Sequence, residues 1–254
     1  MIKKLRILIS LFILLLVSVS AALTKFRVTS WENTLWVYIY PINGDGSQTT
    51  TQYINSLSER DFISIEKFIE REVSQYIDID VKPVELTVAP EIHEIPPTLD
   101  KNRNFLDVVW WSLNMRYWAW THNSQPGPDP DIQIYVLYFN PNTHPQVGHS
   151  LGLEKGLIGV VQAYSGRANA QSNNIVIAHE MLHTLGASDK YDLRNNAPLY
   201  PIGYAEPQLS PLYPQSKAEL MAGRIPLSNS EYRMPRSFNN VVIGPATALE
   251  INWQ

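Results

Sequence analysis

The run His179-Glu180-Met181-Leu182-His183 constrains this chain more than any other stretch. Two histidines four apart on a helix project from the same face, because four residues is close to one turn. Neutral imidazoles are good zinc ligands, and two of them supply half of a tetrahedral shell. Glu180, beside the first histidine, is placed to reach a metal-bound water as a general base. Apolar Ile175, Val176, Ile177 and Ala178 precede the run. Before them stand Ser172, Asn173 and Asn174, whose side chains suit a helix cap. A buried helix starting near residues 172–174 is therefore expected. Gly186 falls three residues after His183, where a helix can end at positive φ, and Asp189 follows three residues later.

The string from His179 to Asp189 reads HExxHxxGxxD. It resembles the metzincin zinc peptidases, in the variant where aspartate stands in place of the third histidine. Leu185 to Asp192 also resembles the LGxxDxYD run of immune inhibitor A-type secreted peptidases. The family further carries a methionine in a tight turn beneath the metal, and Met221 in Glu219-Leu220-Met221-Ala222-Gly223 matches that role. The resemblance implies Zn2+ held by His179, His183 and Asp189, with Glu180 as the catalytic base. It implies zinc-dependent endopeptidase activity on a peptide or protein substrate. The implied fold is α+β: a single catalytic domain with a twisted mixed sheet, an active-site helix carrying HExxH, and the Met-turn below the metal. An edge strand near the metal would pair with the substrate backbone, and residues 132–139 and 156–164 are the candidates for it. A tyrosine often assists the oxyanion in this family, and Tyr191, Tyr204 and Tyr232 are open to that role.

Other readings stand beside this one. Asp192 is near enough to compete as third ligand, and Glu219 would complete the site in a thermolysin-like hydrolase. Acids not used as ligands would hold a histidine N–H in the right tautomer. From a different class comes a non-catalytic envelope or peptide-binding module with a structural metal. A zinc hydrolase acting on something other than protein is a third possibility.

The first residues bear on destination. Lys3, Lys4 and Arg6 precede the almost wholly apolar stretch 7–19, and Ser20-Ala21-Ala22 supplies small residues suited to cleavage. Residues 1–22 are expected to be a signal peptide, or a signal anchor if uncleaved, because the apolar run is nearly long enough to span a bilayer. Residues 23–254 are expected to form the exported catalytic domain, secreted, periplasmic or at the cell envelope. Membrane contact is expected only if the leader is retained. The chain has no cysteine, so export brings no disulfides. Its formal net charge is -4, and the only charges in the leader are the three basic ones. No basic stripe with interleaved aromatics appears, so nucleic-acid binding is not expected. The length after the leader suits one sizeable domain, with a monomer expected.

Elsewhere the pattern is coarser. Strands are expected over 35–40, 84–88, 132–139 and 156–164, and an amphipathic helix over 60–77 with Glu59, Glu66, Glu70 and Glu72 mostly on its outer face. Asn43-Gly44-Asp45-Gly46 reads as a turn, lacking the further acids of a calcium loop. A helix over 104–120 holds Trp110, Trp111, Trp118 and Trp120 with Tyr117, and core packing is the expectation for them. A cleft wall or a membrane-facing patch is the alternative. His144 and His149 lie in a loop over 140–152. A short helix is expected near 228–232, and residues 241–251 should pack under the sheet.

Overall fold

Two runs, 35–43 and 132–139, are apolar at nearly every position. Such runs suit parallel strands covered by helices on both sides, where neither face meets water. In the computed structural model, which describes residues 2–99, 104–123, 127–148 and 150–254, they form the centre of a five-stranded mixed sheet. Its strands are β1 (Leu35–Asn43), β2 (Val84–Val88), β3 (Ile132–Phe139), β4 (Leu151–Leu153) and β5 (Ile158–Tyr164), in the spatial order β2-β1-β3-β5-β4. The first four in that order run parallel, with Val37 opposite Ile132 and Ile134 opposite Gly159. β4 runs antiparallel to β5, with Leu151 opposite Val160, and forms one edge.

The helices are α1 (Ile2–Thr29), α2 (Gln48–Asn55), α3 (Ile63–Val73), α4 (Phe105–Thr121), α5 (Ala170–Thr184) and α6 (Pro245–Glu250). The period-two alternation of strands sorts the core into two layers. Val37, Ile39, Ile134 and Val136 pack with α3 and α5, through Phe68, Ile177 and Met181 among others. Tyr38, Tyr40, Tyr135 and Leu137 face the other way, against Trp111 and Met115 of α4. Tyr40 stacks on Tyr135 with centroids 4.8 Å apart, and Trp118 meets Tyr135 edge-on at 5.0 Å. Each large side chain so removed from water contributes roughly 1.5–3 kcal/mol. An α+β architecture follows, as expected.

The structure corrects several sequence expectations. β3, in the middle, and β5, flanked on both sides, cannot serve as a sheet edge; β4 is the edge beside α5, at the end of what reads as a loop. α5 starts at Ala170, so Asn173 and Asn174 lie within the helix. Both are buried and spend their side chains on distant backbone, Asn173 on Tyr164 and Asn174 on Asp61. Glu72 of α3 points inward and accepts from the Ile243 N–H at 2.8 Å. Residues 228–232 form no helix; instead Tyr232–Arg233 pairs antiparallel with Ile225–Pro226. On α4, Trp111 is buried, but Trp110, Tyr117 and Trp120 are exposed. The C-terminal stretch does join the core, where Ile243, Ala248, Ile251 and Trp253 are buried and Trp31 donates to the Ile251 carbonyl at 2.9 Å.

Two N-terminal features matter later. α1 is apolar and long enough to cross a membrane, and it continues without a break through Ala22 to Thr29. Its last turn docks on the body: Val28 is buried and Arg27 forms a two-point ion pair with Asp131.

Candidate metal centre

α5 is seated by β4 and β5 before its histidines do anything. A side chain at Gly152 of β4 would collide with the Cβ of His183 and lie 2.9 Å from the Glu180 carbonyl. Glycine there lets the edge strand rest directly on the turn of helix that carries the motif. His179 and His183 then present their Nε2 atoms 3.0 Å apart. With Glu180 they form a group whose ligand atoms all lie within 4.8 Å of one another. The helix ends where Gly186 adopts a φ of 107°, a left-handed conformation natural to glycine. The chain reverses and returns Asp189, whose Oδ1 lies 3.1 Å from His183 Nε2 and 3.2 Å from His179 Nε2.

The outer ring nitrogens decide what the inner ones are. His183 Nδ1 lies 2.7 Å from the Ala187 carbonyl, and His179 Nδ1 lies 3.0 Å from the Leu220 carbonyl. A carbonyl oxygen only accepts, so each Nδ1 carries the hydrogen. In the neutral ring the inward Nε2 is then a bare lone pair. Two such lone pairs and a carboxylate oxygen converge at 3.0–3.2 Å. In a tetrahedral zinc shell with bonds of about 2.0–2.1 Å, ligand atoms stand about 3.3 Å apart. The donor set and its spacing therefore fit a small divalent cation.

Electrostatics agree. Burial alone would raise the Asp189 carboxyl, but hydrogen bonds and charge from His179 and His183 hold it well below the usual carboxylate range. Burial works against a charged His179, yet the bond to Asp189 and the nearby Glu180 outweigh it and the shift is upward. The cluster thus favours positive charge at its centre. Glu180 is only 5 % exposed, and burial raises its carboxyl against the opposing pull of both histidines. Among the described residues its Oε2 is buried without a hydrogen-bond partner.

Met221 is fully buried in a tight turn over Leu220–Ala222, closed by Gly223 at a φ of 70°. The backbone of that turn touches both arms of the site. The Leu220 carbonyl takes His179, and the Met221 carbonyl accepts from the Lys190 N–H at 2.9 Å. Glu219 is spent underneath. Its carboxylate accepts from Ala222 N–H at 2.9 Å, Gly244 N–H at 3.2 Å and the Thr247 hydroxyl at 2.7 Å. It pins the turn rather than facing the imidazoles. Asp192 is likewise engaged elsewhere, by Arg194 at 2.7 Å.

Among the three tyrosines, Tyr191 lies beside the cluster, its ring 6.4 Å from that of His179. Burial, with Asp189 and Glu180 close by, pushes its hydroxyl up to about 12. Tyr204 pairs with the Tyr213 hydroxyl, and Tyr232 donates to the Asn229 carbonyl. His144 sits 3.7 Å from Asp45, whose carboxylate serves the turn at 43–46 and the Asn140 N–H; His149 lies outside the described residues. Sequence reasoning missed one support altogether. The buried Lys190 ammonium bonds Glu250 at 2.6 Å and the Ser188 carbonyl at 2.8 Å, bracing both neighbours of Asp189. Glu250 lies 60 residues away in the chain, with no local signal to connect it.

No family model matches the chain, and no curated protein matches it. Solved structures share parts of its shape. One belongs to "Structure of a chaperone-substrate complex", at 13 % identity and a TM-score of 0.40, covering 86 % of this chain and 33 % of that one. Another is wild-type OgpA from Akkermansia muciniphila, at 10 % identity and a TM-score of 0.35, covering 85 % of this chain and 58 % of that one. A catalytically inactive OgpA in complex with an O-glycopeptide (glycodrosocin) substrate gives 9 % and 0.33 with the same coverage. The chain spans about a third of the first protein's length and 58 % of OgpA's.

Proposed function

We propose that this chain is a zinc-dependent endopeptidase. One observation carries the reading: the Nε2 atoms of His179 and His183 and the Oδ1 of Asp189 converge beside the unpartnered, buried Oε2 of Glu180. An orphaned buried carboxylate oxygen costs about 1–3 kcal/mol or more. A water awaiting deprotonation would repay that.

His179, His183 and Asp189 would hold the metal. A zinc ion bound there supplies Lewis acidity toward a carbonyl and toward water. Glu180 takes the proton from the attacking water and later delivers it to the leaving amine. Its upward shift through burial moves its proton affinity toward neutrality, where a general base works best. Tyr191 is the tyrosine placed to donate a hydrogen bond to the oxygen of the tetrahedral adduct, and its raised pKa keeps that proton in place. β4 offers the substrate a main-chain edge, since among the described residues only β5 pairs with it and Gly152 sets it against Glu180 and His183. Pairing of this type asks for an extended backbone and little sequence, which suits a polypeptide substrate.

The competing module with a structural metal has no use for Glu180. Replacing Glu180 with Gln separates the two. It should retain the metal and lose about 10²–10⁴-fold in cleavage of an unfolded protein such as casein. Undiminished cleavage would remove Glu180 from the base role.

A further inference from the structure

The metal centre leaves two apolar surfaces unused. α1 is the first: none of its apolar window is buried. α4 carries the second. Leu106, Val109, Trp110, Leu113, Tyr117 and Trp120 recur at steps of three and four, so they share one face of the helix. That face is opposite the one that Trp111, Met115 and Ala119 press into the core. Leu106 and Trp110 are each 73 % exposed and Trp120 is 74 % exposed. A contiguous aromatic and aliphatic stripe of this kind marks a contact surface rather than chance exposure.

α1 runs along the body before it leaves. Val17, Ala21 and Lys25 of α1 line one crevice with Arg116 of α4, Glu154, and Thr184 and Leu185 at the end of α5. Lys25 reaches Glu154 at 3.1 Å, and Arg27 holds Asp131. The part of α1 clear of that crevice, Lys4 to Leu16, extends about 20 Å at 1.5 Å per residue. A bilayer core is about 30 Å thick. A membrane crossed by α1 must therefore reach the level of Val17 to Leu23, which is where the crevice with Arg116 of α4 lies. Trp and Tyr on the stripe are the residues that favour the headgroup boundary. Lys25 and Arg27 stand at the body end of α1, where their charges remain in the wet layer.

We propose that the exposed face of α4 rests in the interfacial layer of the bilayer that α1 enters. The body is then seated on the lipid rather than swinging from a tether.

The absence of cysteine makes the test clean, because one introduced thiol carries one label. The full chain is reconstituted in phosphatidylcholine vesicles containing a lipid with a nitroxide on its acyl chain. Trp110→Cys and Trp120→Cys carry a fluorophore. Ile63→Cys, on α3 across the sheet, is the comparison. Quenching at positions 110 and 120 should be several-fold stronger than at 63. Equal quenching at the three positions overturns the proposal. So does protection at 110 and 120 that grows with protein concentration, which would assign the face to a second copy. If a labelled variant fails to fold, brominated lipid and the intrinsic tryptophans replace it. The quenched fraction should fall in a Trp110→Phe, Trp120→Phe double variant, and an unchanged fraction counts against the idea.

Discussion

α5 and α4 are both rich in apolar residues, and they sit on opposite faces of one sheet. Their anomalies are opposite too. α5 withdraws from water groups that belong in it: two half-buried imidazoles and, among the described residues, a buried carboxylate oxygen without a partner. α4 leaves in water groups that belong in a core. A buried polar group and an exposed apolar patch are the two departures that carry information about function. Each fits a partner proposed from outside the fold proper, a cation and its water in one case and an apolar surface in the other.

The largest expected effect separates the two sides of α4. Trp111→Ala should cost about 3–5 kcal/mol in denaturant unfolding in detergent solution, as loss of a buried indole does. Trp110→Ala, on the outer face, should stay within about 0.5 kcal/mol. Equal costs would mean the outer face is not outer. On the α5 side, zinc at 100–1,000 times its Kd should add about 3–4 kcal/mol to stability. For a chain of this size that is about 10 °C in Tm. A chelator should abolish the increment in the parent and leave His183→Ala unmoved; a chelator effect persisting in that variant would place the metal elsewhere. Next in size is the assignment of the third ligand. Asp189→Ala should weaken zinc binding by more than the roughly 10–100-fold that loss of an outer partner costs. Asp192→Ala should leave it nearly unchanged, because that carboxylate is held by Arg194. The reverse order reassigns the ligand.

The smallest effect concerns acid. Partial burial would raise the Glu250 carboxyl, but the bonds from Lys190 and Ser188 more than offset it and hold it below its ordinary 4.5. A depressed acid stabilises the fold above its unfolded value, and that contribution fades as pH falls through the folded one. Unfolding free energy of the parent should therefore decline below about pH 4.5 more steeply than that of Glu250→Gln. Parallel curves would remove the Lys190–Glu250 brace from the account.

Much of this was legible where a signal is local. The strand at 84–88 lies between Pro83 and Pro90, and the one at 132–139 ends where its run of apolar residues ends. The spacing from His183 through Gly186 to Asp189 depends on one helix terminus and one positive φ, both readable from neighbours in the chain. What was hidden depends on distant partners. Three residues centred on a glycine show no alternation, so β4 reads as loop until β5 lies beside it. Asn173 and Asn174 look like caps until Tyr164 and Asp61 claim them. Glu219 looks like a ligand because acids near a metal motif do, and only Gly244 and Thr247 reveal its work. On α4 both faces are apolar, so periodicity cannot say which is inside.

The two main-chain oxygens behind the imidazoles have a chemical corollary. Acids in those positions would push electron density through each ring, enriching whatever ion the inner nitrogens hold and blunting its pull on bound oxygen. Leu220 and Ala187 contribute neutral amides instead, which do not titrate across the working range. A metal held by the inner nitrogens would therefore gain no further negative charge from behind the rings, and that backing stays the same as the medium is acidified or made basic.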